Sequence, residues 1–249
     1  MEPRNVDDKE LEFMARYLGE QDPAAVKNHL VADIGCAVGT DVRALRADGI
    51  AAEQLLALDV TSDFWNAGLQ LFRDADHPPC TAVFGDITSS DFLLSSPAPP
   101  VSIPSSGPAF AATRGNGMGH LMGAVQVASC TAVLHVLPED GVSKLLSKVL
   151  LLLRPGGLLL GSAVGAHTPG EWEVAYRPGQ RRYLHSVDSL RQLLQRTGYE
   201  NVEVEVAQRD SEDAMPAGVR ERIDAHVGQH PERGARQMLR FSAWRPTTA

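Results

Sequence analysis

Val31-Ala-Asp-Ile-Gly-Cys-Ala-Val-Gly-Thr-Asp41 is a short apolar run, a turn bearing two glycines, and then Thr40 and Asp41, residue types that start helices. Read together, they predict a buried strand, a tight turn and a helix. Gly35 and Gly39 carry no side chain to hold a ligand off the backbone and can adopt φ values other residues avoid. The turn is therefore expected to form a nucleotide-type site. Spacing narrows the choice of nucleotide. A dinucleotide fingerprint requires G-x-G-x-x-G, and from Gly35 this chain offers Ala37 and Thr40 at the other two positions, a match of one in three. The chain also has no Tyr-x-x-x-Lys pair, which further disfavours a nicotinamide-dependent oxidoreductase.

Four further blocks follow at regular distances. Leu55-Leu-Ala-Leu-Asp-Val60 is an apolar run ending in Asp59, twenty residues past Gly39, where a carboxylate can accept from both hydroxyls of a ribose. Ala82-Val-Phe-Gly-Asp-Ile87 ends in a second acid, Asp86. Val125-Gln-Val-Ala-Ser129 reads as another strand, and Leu153-Arg-Pro-Gly-Gly-Leu-Leu-Leu160 as a helix end, a Pro-Gly-Gly turn and a strand. Between them the periodicity alternates: helix Asp41 to Ala47, strand Gln54 to Asp59, helix Asp63 to Phe72, strand Thr81 to Phe84. Such alternation predicts an α/β domain, a mostly parallel sheet with helices on both faces. Its ligand should lie at the carboxyl ends of the strands, where Gly35, Asp59, Asp86 and Ser129 fall.

In this order the blocks resemble the class I S-adenosylmethionine-dependent methyltransferases. The loop of that family is an acid followed by x-G-x-G-x-G; Asp33, Gly35 and Gly39 match, and Ala37 stands at the middle glycine. The resemblance implies a Rossmann-like fold with a seven-stranded sheet and S-adenosyl-L-methionine as cofactor. It places Asp33, Gly35, Cys36 and Gly39 at the methionine side, Asp59 and Val60 at the ribose, Asp86 and Ile87 at the adenine, and Ser129 at the next strand tip. The segments Asp33 to Leu45 with Asp48-Gly49, Gly68 to Asp74, Gly161-Ser-Ala-Val-Gly165 and Pro169-Gly-Glu171 are similar to a fungal group of secondary-metabolite methyltransferases. That group acts on polyketide, terpenoid and meroterpenoid intermediates, several at a carboxyl group. It carries a longer segment ahead of the glycine loop than residues 1–29 here, so the pocket is expected to be more open or covered by a partner chain. A cofactor-binding regulatory or scaffold protein without transfer activity is the competing expectation, prompted by that short segment and by Ala37.

Length and composition are consistent with this. At 249 residues the chain suits one α/β domain. The net charge of −8 and the scatter of the basic residues offer no attraction to a phosphate backbone or an anionic membrane, so a small molecule is expected as partner rather than nucleic acid or lipid. Cys36, Cys80 and Cys130 have no metal-ligand spacing, and no metal is expected. The acidic, polar N-terminus is unlike a signal peptide and no run reaches the ~20 apolar residues of a membrane span, which leads to an expected cytoplasmic location.

The remaining stretches carry weaker signals. Residues 1–29 read as two short helices, Leu11, Met14, Ala15 and Leu18 marking the apolar face of the first. Residues 95–119, rich in Ser, Pro, Ala and Gly, read as a disordered insertion, with a lid over the substrate cleft as the functional alternative. Ser143 to Leu153 and Ser186 to Arg196 read as helices, the second capped by Ser186 and stopped by Gly198. Val202 to Val206 and Met238 to Trp244 read as an antiparallel pair, with a helix around Ala217 to Val227 between them. His135, six residues past Ser129, is the candidate catalytic residue: a base for a phenol, or a group that orients an already ionised carboxylate. The competing reading is a histidine satisfied by backbone. Trp172 and Arg182 are candidate substrate contacts, against a solvated loop as the plainer reading; Arg177, Arg181, Tyr176, Tyr183 and His185 lie in the same stretch. Arg43 reads as a surface residue.

Overall fold

The computed structural model describes residues 30–93, 113–114, 119–174, 177–207 and 236–247. The expected N-terminal helices, most of the expected insertion at 95–119 and the expected helix around Ala217 to Val227 lie outside the described residues.

The strands are β1 (Val31–Ile34), β2 (Leu55–Asp59), β3 (Thr81–Phe84), β4 (Thr113–Arg114), β5 (Val125–Thr131), β6 (Leu153–Ala166), β7 (Gly170–Val174), β8 (Arg177–Leu184), β9 (Glu200–Val206) and β10 (Arg236–Trp244). The helices are α1 (Thr40–Ala47), α2 (Asp63–Phe72), α3 (Glu139–Leu152) and α4 (Val187–Thr197). The main sheet runs β4-β3-β2-β1-β5-β6-β10-β9. Its first six strands are parallel to one another, whereas β10 is antiparallel to both β6 and β9. Seven of these strands fulfil the expected Rossmann-like methyltransferase sheet. The eighth, the two-residue β4, comes from within the segment expected to be unstructured and pairs with the edge of β3.

Both faces of the sheet are covered, and for that reason the central strands are continuously apolar rather than alternating. Successive residues nonetheless go to opposite sides. Val31, Leu55, Ala57, Ala82 and Phe84 pack with Val42, Leu45 and Trp65 of α1 and α2. Ala32, Ile34, Leu56, Leu58 and Val83 pack with Leu145, Leu146, Val149, Leu190 and Leu194 of α3 and α4. Asp33 shares the parity of Val31 and so belongs to the α1–α2 side.

Local chemistry sets the ends of the elements, and three expectations shift. Helix α4 starts as expected: the Ser186 side chain accepts from the Ser189 N–H, the Ser189 hydroxyl accepts from the Ser186 N–H, and Gly198 at φ 105° stops it. Helix α1 likewise starts at Thr40 as expected, with Gly39 at its N-cap in the left-handed region. Helix α3 begins at Glu139 rather than Ser143, directly after Pro138. Pro155-Gly156-Gly157 is not a turn before a strand but an irregularity inside the fourteen-residue β6, where pairing shifts between Val125 and Val127 and the backbones of Gly156 and Gly157 bond to Arg245. The stretch after β6, whose plainer reading was a loop, forms the separate two-stranded ribbon β7-β8.

Candidate functional site

A cleft of about 470 Å³ opens at the carboxyl ends of β1, β2, β3 and β5. Each wall can be traced to a sequence block. From the β1–α1 loop come Gly35 and Ala37, and from the end of β2 Asp59 and Val60, with Phe64 of α2 beside them. The segment after β3 supplies Gly85, Asp86, Ile87 and Thr88; that after β5 supplies Ala132, Val133, Val136 and Leu137. Asp59 and Asp86 thus border one cavity, as a nucleoside held at its sugar and its base requires.

The backbone explains the choice of residues. Gly35 has φ 78°, and a Cβ there would stand 2.3 Å from Val133 Cγ2, so both conformation and space demand glycine. Ala37 has φ 46°, the left-handed region in which the missing Cβ of a glycine would relieve strain. What holds it there is visible: its N–H donates to Asp59 Oδ2 at 2.9 Å, while the Thr61 N–H donates to Oδ1 at 3.3 Å. Asp59 therefore braces the loop and still faces the cleft. Asp86 is held by the N–H and hydroxyl of Thr88, at 2.8 and 2.6 Å.

Of the expected cofactor residues, Gly35, Asp59, Val60, Asp86 and Ile87 line the cleft; Asp33, Cys36, Gly39 and Ser129 do not. Asp33 is buried on β1 beside Ser129 of β5. Burial, with Asp41 and Asp59 adding like charge, pushes its carboxyl up to about 7. Burial likewise raises the thiols, Cys36 strongly and Cys80 and Cys130 each to about 12, so none of them is a nucleophile at neutral pH. Among the described residues no group of three or more His, Cys, Asp and Glu could hold a metal ion.

The three expected substrate residues lie together, beside the cleft lining. His135 follows β5 in a short 3-10 turn, between Leu134 and the cleft residue Val136. Its Nδ1 accepts the Val164 N–H at 3.3 Å, which puts the ring proton on Nε2. Burial, then Arg182 and Arg236, lower its pKa, so the ring stays neutral. Trp172 and Arg182 are opposed across the β7-β8 ribbon and share a face. The ribbon is tied to the same segment by the Tyr183 N–H, which donates to Leu137 O at 2.9 Å. Arg182 Nε is buried without a hydrogen-bond partner among the described residues. Of the other candidates in this stretch, Arg181 pairs at the surface with Glu171 at 2.8 Å, and His185 is buried against Ser189.

Sequence reasoning missed most of the apolar wall: Phe64, Phe92, Ala132, Val133, Val136, Leu137 and Leu145. The structure itself marks part of this wall: Val60, Phe64 and Val136 are 68%, 56% and 51% exposed, large apolar residues left facing solvent where a ligand would cover them.

This sheet order, with its carboxylate-lined cleft where the strand order reverses between β1 and β5, defines a methyltransferase-type Rossmann-like protein. The chain belongs to the family described as Methyltransferase domain, which matches residues 8–204. Its similar relatives include the O-methyltransferase phiE of a fungal species (strain ATCC 74256), 26% identical over 73% of this chain and 53% of that protein. The methyltransferase trt5 of Aspergillus terreus is 26% identical over 80% of this chain and 60% of that protein. The chain thus spans little more than half the length of these relatives. Among solved structures, phosphoethanolamine N-methyltransferase 2 of Haemonchus contortus, in complex with S-adenosyl-L-methionine, aligns over 98% of this chain and 58% of that one with a TM-score of 0.56 at 14% identity. A Burkholderia thailandensis 1,6-didemethyltoxoflavin-N1-methyltransferase aligns over 95% and 76%, with a TM-score of 0.56 at 14% identity. At such identities the likeness is one of fold.

Proposed function

We propose that this chain is an S-adenosylmethionine-dependent O-methyltransferase whose acceptor is the carboxyl group of a small, largely apolar acid of secondary metabolism, a polyketide or terpenoid intermediate. The observation that carries the cofactor assignment is the convergence of Asp59 and Asp86 on one cleft beside Gly35, whose missing Cβ keeps the loop tight against Val133. In this reading Asp59 holds the ribose, Asp86 the adenine amino group, and Val60, Phe64 and Ile87 cover the rings. The cofactor, when bound, supplies a methyl group on a sulfonium, open to in-line displacement. The protein's task is then to hold a nucleophile in line and keep water out.

The carboxyl acceptor is supported by the state of His135. A carboxylic acid with pKa near 4 is already ionised at neutral pH and needs no base, whereas a phenol near 10 does. With Nδ1 occupied by the Val164 N–H, the remaining nitrogen carries a proton and can donate but not abstract. A neutral donor next to the Arg182 guanidinium suits an anionic oxygen, and Trp172 offers an apolar wall. Titration of the purified protein should give micromolar affinity for S-adenosylmethionine and none for NAD; the reverse refutes the cofactor assignment. A panel of terpenoid and aromatic acids with matched phenols, read by mass, should yield methyl esters only. Phenol ethers as the main products would refute the acceptor. Cofactor binding with no methyl consumed across the panel would favour the competing regulatory reading, which the left-handed Ala37 at a glycine position motivates.

A further inference from the structure

The residue set aside from sequence as surface is the most heavily bonded side chain beside the glycine loop. Arg43 projects from α1 and is only 12% exposed. Its Nε and Nη2 form a two-pronged pair with Asp74, at 2.7 and 2.9 Å, and its Nη1 donates to the carbonyls of Val38 and Gly39, at 2.6 and 2.9 Å. The guanidinium carbon lies 4.4 Å from the centre of the Phe72 ring and 5.4 Å from that of Trp65. One planar group therefore ties three things together: the loop backbone, the aromatic residues of α2, and the acid just beyond the end of that helix.

Two close approaches show that the loop is built around this contact. A Cβ on Gly39 would stand 2.7 Å from Arg43 Nη1 and 2.7 Å from Trp65 Cζ3; a Cβ on Gly68 of α2 would stand 2.2 Å from the Val38 carbonyl oxygen. The second glycine of the loop is thus required by the clamp as much as by its φ of 72°. On the outside the carbonyls of Val38 and Gly39 are held by Arg43; on the inside the Ala37 N–H is held by Asp59. Ala37 sits between these two fixings in a conformation an alanine disfavours.

We propose that Arg43, with Asp74, is a positioning residue that keeps the strained β1–α1 loop in its ligand-competent shape, so that cofactor affinity depends on a pair which touches no cofactor. This rests on the cofactor reading above. An arginine is needed because the arrangement uses three nitrogens of a planar fork, which lysine lacks. A loop freed of the clamp and competent about one-tenth of the time would bind about tenfold more weakly.

The test uses the full chain as wild type, R43M, R43K and D74N, each measured well below its melting temperature. Expected are a Kd for S-adenosylmethionine raised about tenfold in R43M and R43K and raised to a smaller extent in D74N. In the cofactor-free protein, amide exchange at Ala37 to Gly39 should accelerate while that of β1 and β5 stays at the wild-type rate. A merely structural role would lower the melting temperature and leave Kd and local exchange as in wild type, which overturns the proposal. Should R43M fail to fold, D74N and R43K decide alone. Absence of any binding by wild type refutes the cofactor reading instead, and the exchange comparison still decides the clamp.

Discussion

Two buried groups, Asp33 and His185, respond to acid in opposite directions and make the largest contributions to the pH dependence of stability. Asp33 is 5% exposed and its carboxyl is raised from 3.8 to about 7, by burial first and by Asp41 and Asp59 after it. His185 is 6% exposed and lowered from 6.5 to about 4, by burial and then by Arg196, with its Nε2 left without a partner among the described residues. Between pH 4 and 7 the folded chain keeps a proton on Asp33 that the unfolded chain gives up, so this group makes stability fall as pH rises, by at most about 4 kcal/mol across the window. Between pH 4 and 6.5 the unfolded chain protonates His185 while the folded chain does not, so this group makes stability rise with pH, by at most about 3 kcal/mol. The two slopes nearly cancel. His135, whose pKa burial also lowers, adds a rise of its own, so the cofactor-free wild type should show only a shallow net rise from pH 4.5 to 6.5, which would conceal the two larger slopes. Asp33→Asn removes the falling contribution and should expose a rise of about 2 to 3 kcal/mol over that range, or about 4 to 12 °C in Tm for a chain of this size. His185→Gln should expose the fall instead. Circular dichroism melts at half-unit pH steps measure both, and parallel profiles for Asp33→Asn and wild type would refute the argument.

Two other expectations follow from the loop. Ala37→Gly removes the left-handed strain at φ 46° and should raise the unfolding free energy by up to about 1 kcal/mol, read as a higher urea midpoint at unchanged m-value, part of the gain being offset by the extra freedom of glycine in the unfolded chain. Asp59→Asn keeps the shape but leaves one acceptor oxygen where two now serve the Ala37 and Thr61 N–H groups, so S-adenosylmethionine affinity should fall at least about tenfold in a calorimetric titration, the equivalent of about 1.4 kcal/mol.

Much of this protein could be read from local pattern. The apolar runs at Val31, Leu55 and Thr81, the helix from Asp63 to Phe72 and the caps at Ser186 and Gly198 all fall where short-range chemistry puts them, because burial on both faces of a parallel sheet and the satisfaction of helix ends are encoded within a few residues. For the same reason Asp59 and Asp86 could be assigned to one cleft: parallel strands of fixed order bring their carboxyl ends together. Folding in three dimensions was needed for everything that joins residues far apart in the chain. Arg43 and Asp74 lie 31 positions apart and His135 and Val164 lie 29 apart; only chain reversal brings them into hydrogen-bonding distance, and that contact decides whether a charge is a clamp and which nitrogen of a histidine carries its proton. The β7-β8 ribbon, too, was hidden in a polar stretch whose strand pairing is fixed by a partner rather than by its own apolar content. Periodicity places elements, while the direction of a single polar side chain is set by neighbours that no local window contains.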